Sequence, residues 1–192
     1  MNLFTRNAHE FGYAAFEGHP VTRLSFLIAC ICLASTAHAD EFAKVKCGGD
    51  IPKAMIGAHS QNTTVMASEK KYRAIELKNL GGDEISDKLS TVNWMICGSE
   101  YIELIDRGGT VRDVMAYPAH SKAEPAFTSI CQSGGKDLPD IFVGVLDASG
   151  TSDLLPVKQA WKIDQTRGKF VKVSEAGLSC PRSGIITADG GK

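Results

Sequence analysis

A chain of 192 residues with 21 basic and 22 acidic side chains, a formal net charge of −1 and 43% hydrophobic residues has no basic footprint for nucleic acid and no polybasic patch for an anionic membrane. Its length suits one domain able to bury a real core. Its six cysteines make the redox compartment the first question to settle.

The N-terminus answers it. Met1 to Pro20 has no clear period and reads as an extension outside the mature protein, with translation expected to begin at Val21. Arg23 is followed by an apolar run from Leu24 to Ser35 and then by Ala37-His38-Ala39. One basic residue, a short apolar core and an A-x-A end are the pattern of a secretory signal peptide, 21–39, cleaved after Ala39. The run is too short to span a bilayer, which needs about 20 apolar residues, so no stable membrane insertion is expected after cleavage. Leu27-Ile28-Ala29-Cys30 resembles a lipobox, but only six residues separate Cys30 from the charge at Arg23, and simple export ranks above it.

Export removes Cys30 and Cys32 and leaves Cys47, Cys97, Cys131 and Cys180. An even number of cysteines in an oxidising compartment reads as a disulfide framework, and four allow three connectivities. The expected pairs are Cys47–Cys180, clamping the two ends of the domain, and Cys97–Cys131, tying a hairpin to the segment after it. No pair has C-x-x-C spacing, so neither a redox site nor a zinc knuckle is indicated.

Along the mature chain, Cys47 to Gly57 reads as a short helix, with Asp50 as cap, Pro52 in the first turn and Gly57 at the end. His59 to Thr64 is a polar loop carrying an Asn62-Thr63-Thr64 sequon. In Thr64 to Leu80, Tyr72, Ile75 and Leu77 fit a strand in part and a helix in part, and the stretch is read as a strand. Gly81-Gly82-Asp83 reads as a turn, with Asp83 capping a helical turn that ends near Leu89. Thr91 to Pro118 forms a β-hairpin: a first arm rich in β-branched and aromatic residues, a turn at Asp106-Arg107-Gly108-Gly109, and a return arm ended by Pro118. Gly98 interrupts the first arm as a bulge or a bend. Phe127 to Cys131 and Ile141 to Leu146 are further strands, and Ser133 to Asp137 and Asp147 to Asp153 are turns. Ala160 to Asp164 and Lys169 to Val173 flank Gln165 to Gly168 as a second hairpin. Leu178 to Pro181 closes a single exported β-rich domain, 40–182, and 183–192 is a weakly tied tail in which Ile185 and Ile186 are the residues able to dock. Strands separated by short Gly/Asp turns, with few helices, define an α+β, β-rich class: an antiparallel sheet or small barrel with one or two short helices, stapled by two disulfides.

The chemistry-bearing residues are sparse. His59 and His120 are the histidines of the mature chain, and with Asp106 or Asp113 and a serine they are the candidates for a hydrolase triad. No Gly-x-Ser-x-Gly elbow supports one, and a solvent-facing loop histidine is the plainer reading. Asp147, Ser149, Thr151 and Asp153 alternate as in a calcium loop, but the glycine and terminal glutamate that geometry needs are missing. Glu100 and Glu103, three apart on a strand, face opposite sides and do not make a catalytic pair. The Gly-Gly pairs are turn signals with no strand–loop–helix context for phosphate. Trp94, Tyr101, Tyr117 and Trp161 are more readily core than a binding face. No metal or cofactor is expected.

The layout of signal peptide, four cysteines and β-rich body resembles that of small exported bacterial envelope proteins, among them the periplasmic inhibitors of lysozyme. The resemblance implies a periplasmic or secreted, non-catalytic binding module for a protein or small ligand of the envelope, and it carries no site residue. The expected contact surface is the loop His120-Ser121-Lys122 together with Gln132 and Ser133. The alternative is a small secreted hydrolase using a loop histidine.

Overall fold

In the computed structural model, residues 40–60 and 64–186 are described. The expected extension 1–20, the signal peptide 21–39, most of the sequon and 187–192 lie outside them.

Two short helices open the chain. α1, Ile51–Met55, is capped by Asp50, whose Oδ1 accepts from the Lys53 amide at 3.0 Å, and Pro52 sits in its first turn. Gly57 follows at φ +81°. Ile51 and Met55 are buried. The expected strand over 64–80 is instead α2, Val65–Lys71, and a 3₁₀ turn, Arg73–Ile75. Thr64 Oγ1 accepts from Ala67 N at 3.3 Å, and Ala67, Glu69, Lys70 and Lys71 favour helix, with the two lysines complementing the C-terminal dipole. Only beyond the 3₁₀ turn does the chain extend.

The first sheet is an antiparallel meander: β1 (Lys78–Ser86), β2 (Leu89–Ile96), β3 (Ser99–Asp106) and β4 (Val111–Ala116). Two expectations change here. Gly81-Gly82-Asp83 lies within β1, and the turn falls at Asp87-Lys88, where Ser86 pairs with Leu89. Gly82 is needed because β1 presses onto β2: a Cβ there would lie 2.1 Å from Thr91 O. The expected single arm from Thr91 to Asp106 is two strands, because Cys97-Gly98 is a two-residue turn and not a bulge. Both residues have positive φ, 54° and 75°, and Ile96 pairs directly with Ser99. That backbone matches the tight turn favoured between twisted strands. The Asp106 turn forms as expected, with Asp106 Oδ1 accepting from Gly108 N and Thr110 N at 2.9 and 3.0 Å.

The second sheet holds β5 (Ala126–Ser133), β6 (Lys136–Leu146), β7 (Leu154–Asp164), β8 (Lys169–Val173) and β9 (Leu178–Pro181), in the order β6-β5-β9-β7-β8. β6 also pairs with β7, so β6, β5, β9 and β7 close into a ring and β8 extends it from β7. Ile185 bridges Phe127, and the Ile186 amide donates to Ala126 O at 2.9 Å. The first residues of the expected loose tail are therefore docked.

The first sheet is covered on both faces. Trp94, Ile96, Val111 and Val114 pack beneath Phe42, Val45, Ile51, Met55, Ile75 and Leu77. Leu89, Ile102 and Leu104 of the opposite face meet Ala126, Val143 and Ile163 of the second sheet. Phe127, Phe142, Leu146, Leu155 and Leu178 fill the ring. Each such side chain contributes about 1.5–3 kcal/mol of burial. Tyr117 joins the sheets by donating from Oη to Phe127 O (3.0 Å) and Gly144 O (3.3 Å).

Two disulfides form, but not in the expected pairs. The bonds are Cys47–Cys97 and Cys131–Cys180, in place of Cys47–Cys180 and Cys97–Cys131. Cys47 stands just before α1, which packs on the first sheet, and Cys97 is in the β2–β3 turn of that sheet. Cys131 and Cys180 are on paired strands, where Gln132 is opposite Ser179. Each bond staples a layer internally and does not bridge the chain's two ends. With sequence separations of 50 and 49, each is worth about 4 kcal/mol in the chain-entropy account.

Candidate functional site

The residues expected to form a contact surface are not brought together. His120 lies within the connection from β4 to β5, whereas Gln132 and Ser133 lie at the far end of β5. Ser121 Oγ accepts from Glu124 N at 3.2 Å, closing a local turn, and Lys122 is exposed. Glu124 pairs with Lys158. Gln132 Nε2 donates to Asp137 Oδ1 at 2.8 Å.

Nor does a triad assemble. His59 lies beside the start of β4, with its ring over Gly109, whereas His120 follows the far end of that strand. His120 Nδ1 is 3.0 Å from Pro118 O, and Nε2 is 3.4 Å from Glu100 Oε2. With both ring nitrogens facing oxygen acceptors, neither is placed to take a proton from a serine. Burial raises the Glu100 pKa, and the neighbouring His120 opposes that rise. Asp113 is occupied by Lys169 Nζ at 3.2 Å and Phe170 N at 2.9 Å, and Asp106 by its own turn. In the Asp147 loop, Asp147 Oδ1 accepts from Ser149 N, and Arg182 donates to Gly150 O (2.6 Å) and Ser152 O (3.2 Å). A guanidinium thus occupies the loop carbonyls. Among the described residues no three His, Cys, Asp or Glu side chains form a group able to hold a metal.

A different site emerges between α2 and β1. A cleft of about 410 Å³ opens there, with the exposed Glu84 on its rim side and Trp94, Glu41 and Glu103 among its deeper residues. Glu103 faces it because of register: it pairs with Val92 on one side and Val114 on the other, and that face of the sheet is the one beneath the helical cover. Glu100, three residues away, points to the other side, as period two requires. Glu103 is 0% exposed and Glu41 5%. Trp94 Nε1 donates to Glu103 Oε1 at 2.7 Å, and Ser60 hydrogen-bonds the Glu41 carboxyl. The second oxygen of each carboxyl, Glu41 Oε2 and Glu103 Oε2, has no hydrogen-bond partner among the described residues.

Two buried acids this close cannot both ionise cheaply. Burial is the larger cause for both. It pushes Glu103 up to about 8, helped by the charge of Glu41 and opposed by the Trp94 bond. It pushes Glu41 up to about 7, opposed by the Ser60 bond and helped by Asp40. Asp40 is held below the ordinary range against its own burial by Lys71 Nζ at 2.6 Å, Tyr72 and the Phe42 amide. The cleft floor is thus a carboxyl pair that holds protons near neutral pH. The one signal in the sequence was Glu103 itself, an acid inside the run Tyr101-Ile102-Glu103-Leu104-Ile105. Glu41 gave none, since its partner is far along the chain. Of the four aromatic residues expected as core, Trp94 and Tyr117 are buried and Tyr101 and Trp161 half-buried; Trp94, 5% exposed, meets Phe42 edge-on at 5.1 Å.

Compared with known proteins, the chain matches no family model, no curated protein and no solved structure.

Proposed function

We propose that the chain is an exported envelope protein, periplasmic or secreted, that acts as a non-catalytic binding module, with the cleft over Glu41 and Glu103 as its ligand site. The observation that carries this reading is the pair of buried, unpartnered oxygens, Glu41 Oε2 and Glu103 Oε2, at the floor of an open cleft. Buried polar groups ordinarily find partners, and those that do not, in a concave site with raised pKa values, mark a place for a ligand. The two disulfides suit an oxidising compartment, and the 21–39 pattern suits export. A hydrolase built on His59 or His120 is the lesser reading, because the ring nitrogens of His120 face Pro118 O and Glu100 Oε2 and the sequence has no Gly-x-Ser-x-Gly elbow.

The test uses purified, oxidised protein immobilised and challenged with an envelope extract of the source cells, followed by mass spectrometry of what elutes. A component retained saturably by the wild type and lost in the Glu41→Gln, Glu103→Gln double variant is expected. Equal retention by both proteins overturns the cleft as the site. N-terminal sequencing of exported protein should begin at Asp40, and recovery of the intact chain in the cytoplasm would overturn export.

A further inference from the structure

Resting on that reading of the cleft, we propose that its ligand is a short aliphatic diamine, bound with one ammonium over the Glu41–Glu103 floor and the other at Glu84 on the rim.

The lining decides the charge. Three carboxyl groups, Glu41, Glu84 and Glu103, line the cleft, Asp83 being turned to the other face of β1 opposite Thr91, and no lysine, arginine or histidine lines it among the described residues, so a bound anion would find no cationic partner there. A sugar wants an aromatic face to stack on. Trp94 offers none, being buried, packed on Phe42 and tied through Nε1 to Glu103. A divalent ion wants three or more converging ligands, and no such group exists among the described residues. An alkylammonium fits what is left. Its three N–H donors suit the open oxygens Glu41 Oε2 and Glu103 Oε2, and its methylenes suit Val65 and Val92, the aliphatic members of the lining. The acids lie at two depths, buried at the floor and exposed at the rim, which is why two ammonium groups are assigned and not one. The volume of about 410 Å³ is that of a small-molecule site.

Binding is linked to protons. A cation over the floor favours the ionised pair, so protons leave as it binds. The groups facing the pair are Asp40 with its Lys71 partner, Tyr72 and Ser60 on the cover side, Trp94 from β2, and Glu84 from β1. Affinity therefore rises with pH across the range in which the pair still holds protons.

The experiment is calorimetric titration of the full processed protein with 1,5-diaminopentane, 1,5-pentanediol and glutarate, in buffers of different ionisation enthalpy at pH 6.0 and 8.5. Expected is saturable binding of the diamine alone, at least fivefold tighter at pH 8.5, with net proton release at pH 6.0. Glu103→Gln should weaken it tenfold or more and reduce the proton release. Glu84→Gln, an exposed position that leaves the core intact, should weaken the diamine threefold or more while leaving n-butylamine unchanged. Absence of diamine binding, or diol binding as tight as diamine, overturns the ligand class. If the envelope extract still yields a component dependent on Glu41 and Glu103, the cleft reading survives that failure. If it does not, both fall together.

Discussion

Replacing Glu103 with glutamine should flatten the decline of stability with rising pH. The side chain is fully buried, and its carboxyl is pushed from 4.5 to about 8 by desolvation first and by Glu41 second. The unfolded chain releases this proton near 4.5, while the folded chain keeps it to about 8. Between those values the folded state binds more protons than the unfolded state, so stability is fully present below pH 4.5 and is lost as pH rises towards 8. Across about 3.5 pH units, at about 1.4 kcal/mol each, the loss assigned to Glu103 is on the order of 4–5 kcal/mol. That is a large part of the stability of a domain this size. Glutamine keeps an oxygen for Trp94 Nε1 and never ionises. Urea unfolding followed by Trp fluorescence at pH 5, 7 and 9 is the assay. The variant should be within about 1 kcal/mol of wild type at pH 5 and more stable by ~2 kcal/mol or more at pH 9, with the remaining slope, due to Glu41, levelling off near pH 7. Equal slopes for the two proteins would refute the argument that an acid buried at this site stays protonated.

Other expectations follow from packing and covalent structure. Graded reduction with alkylation and peptide mapping should open Cys47–Cys97 first, since Cys47 is exposed while Cys131 and Cys180 are each 0% exposed; simultaneous opening would contradict this. The Cys131→Ala, Cys180→Ala variant should lose about 4 kcal/mol in urea unfolding. Gly144→Ala should cost ~3 kcal/mol or more, because Gly144 has φ +156° and a Cβ would lie 1.9 Å from Gln159 O; a folded variant with unchanged midpoint would show that β6 and β7 are not so close. Tyr117→Phe should cost about 1–2 kcal/mol by leaving Phe127 O and Gly144 O without its hydroxyl.

What the residues alone determined is what depends on neighbours in sequence. Asp50 and Pro52 announce α1, Asp106 with Gly109 the β3–β4 turn, and Gln165 to Gly168 the β7–β8 turn, because caps and turns are settled within four or five residues. The β-rich class follows from repeating those local signals. The same locality explains the misses at 64–80 and at Cys97-Gly98. A weakly amphipathic helix and a strand look alike over one turn, and a cysteine in left-handed conformation gives no warning in composition. Only the tertiary structure decided which cysteines pair, since pairing depends on which layer each segment joins: α1 on the first sheet brings Cys47 to Cys97, and the closing of the ring by β9 brings Cys180 to Cys131. The same holds for the site. Period two correctly sends Glu100 and Glu103 to opposite faces, but that Glu103 would meet Glu41 beneath the helical cover, while β5 separates His120 from Gln132, follows from the folding of the N-terminal segment over β3. No local pattern records that contact, because its driving force is the burial of Phe42, Val45, Ile51 and Met55 on a sheet formed much later in the chain.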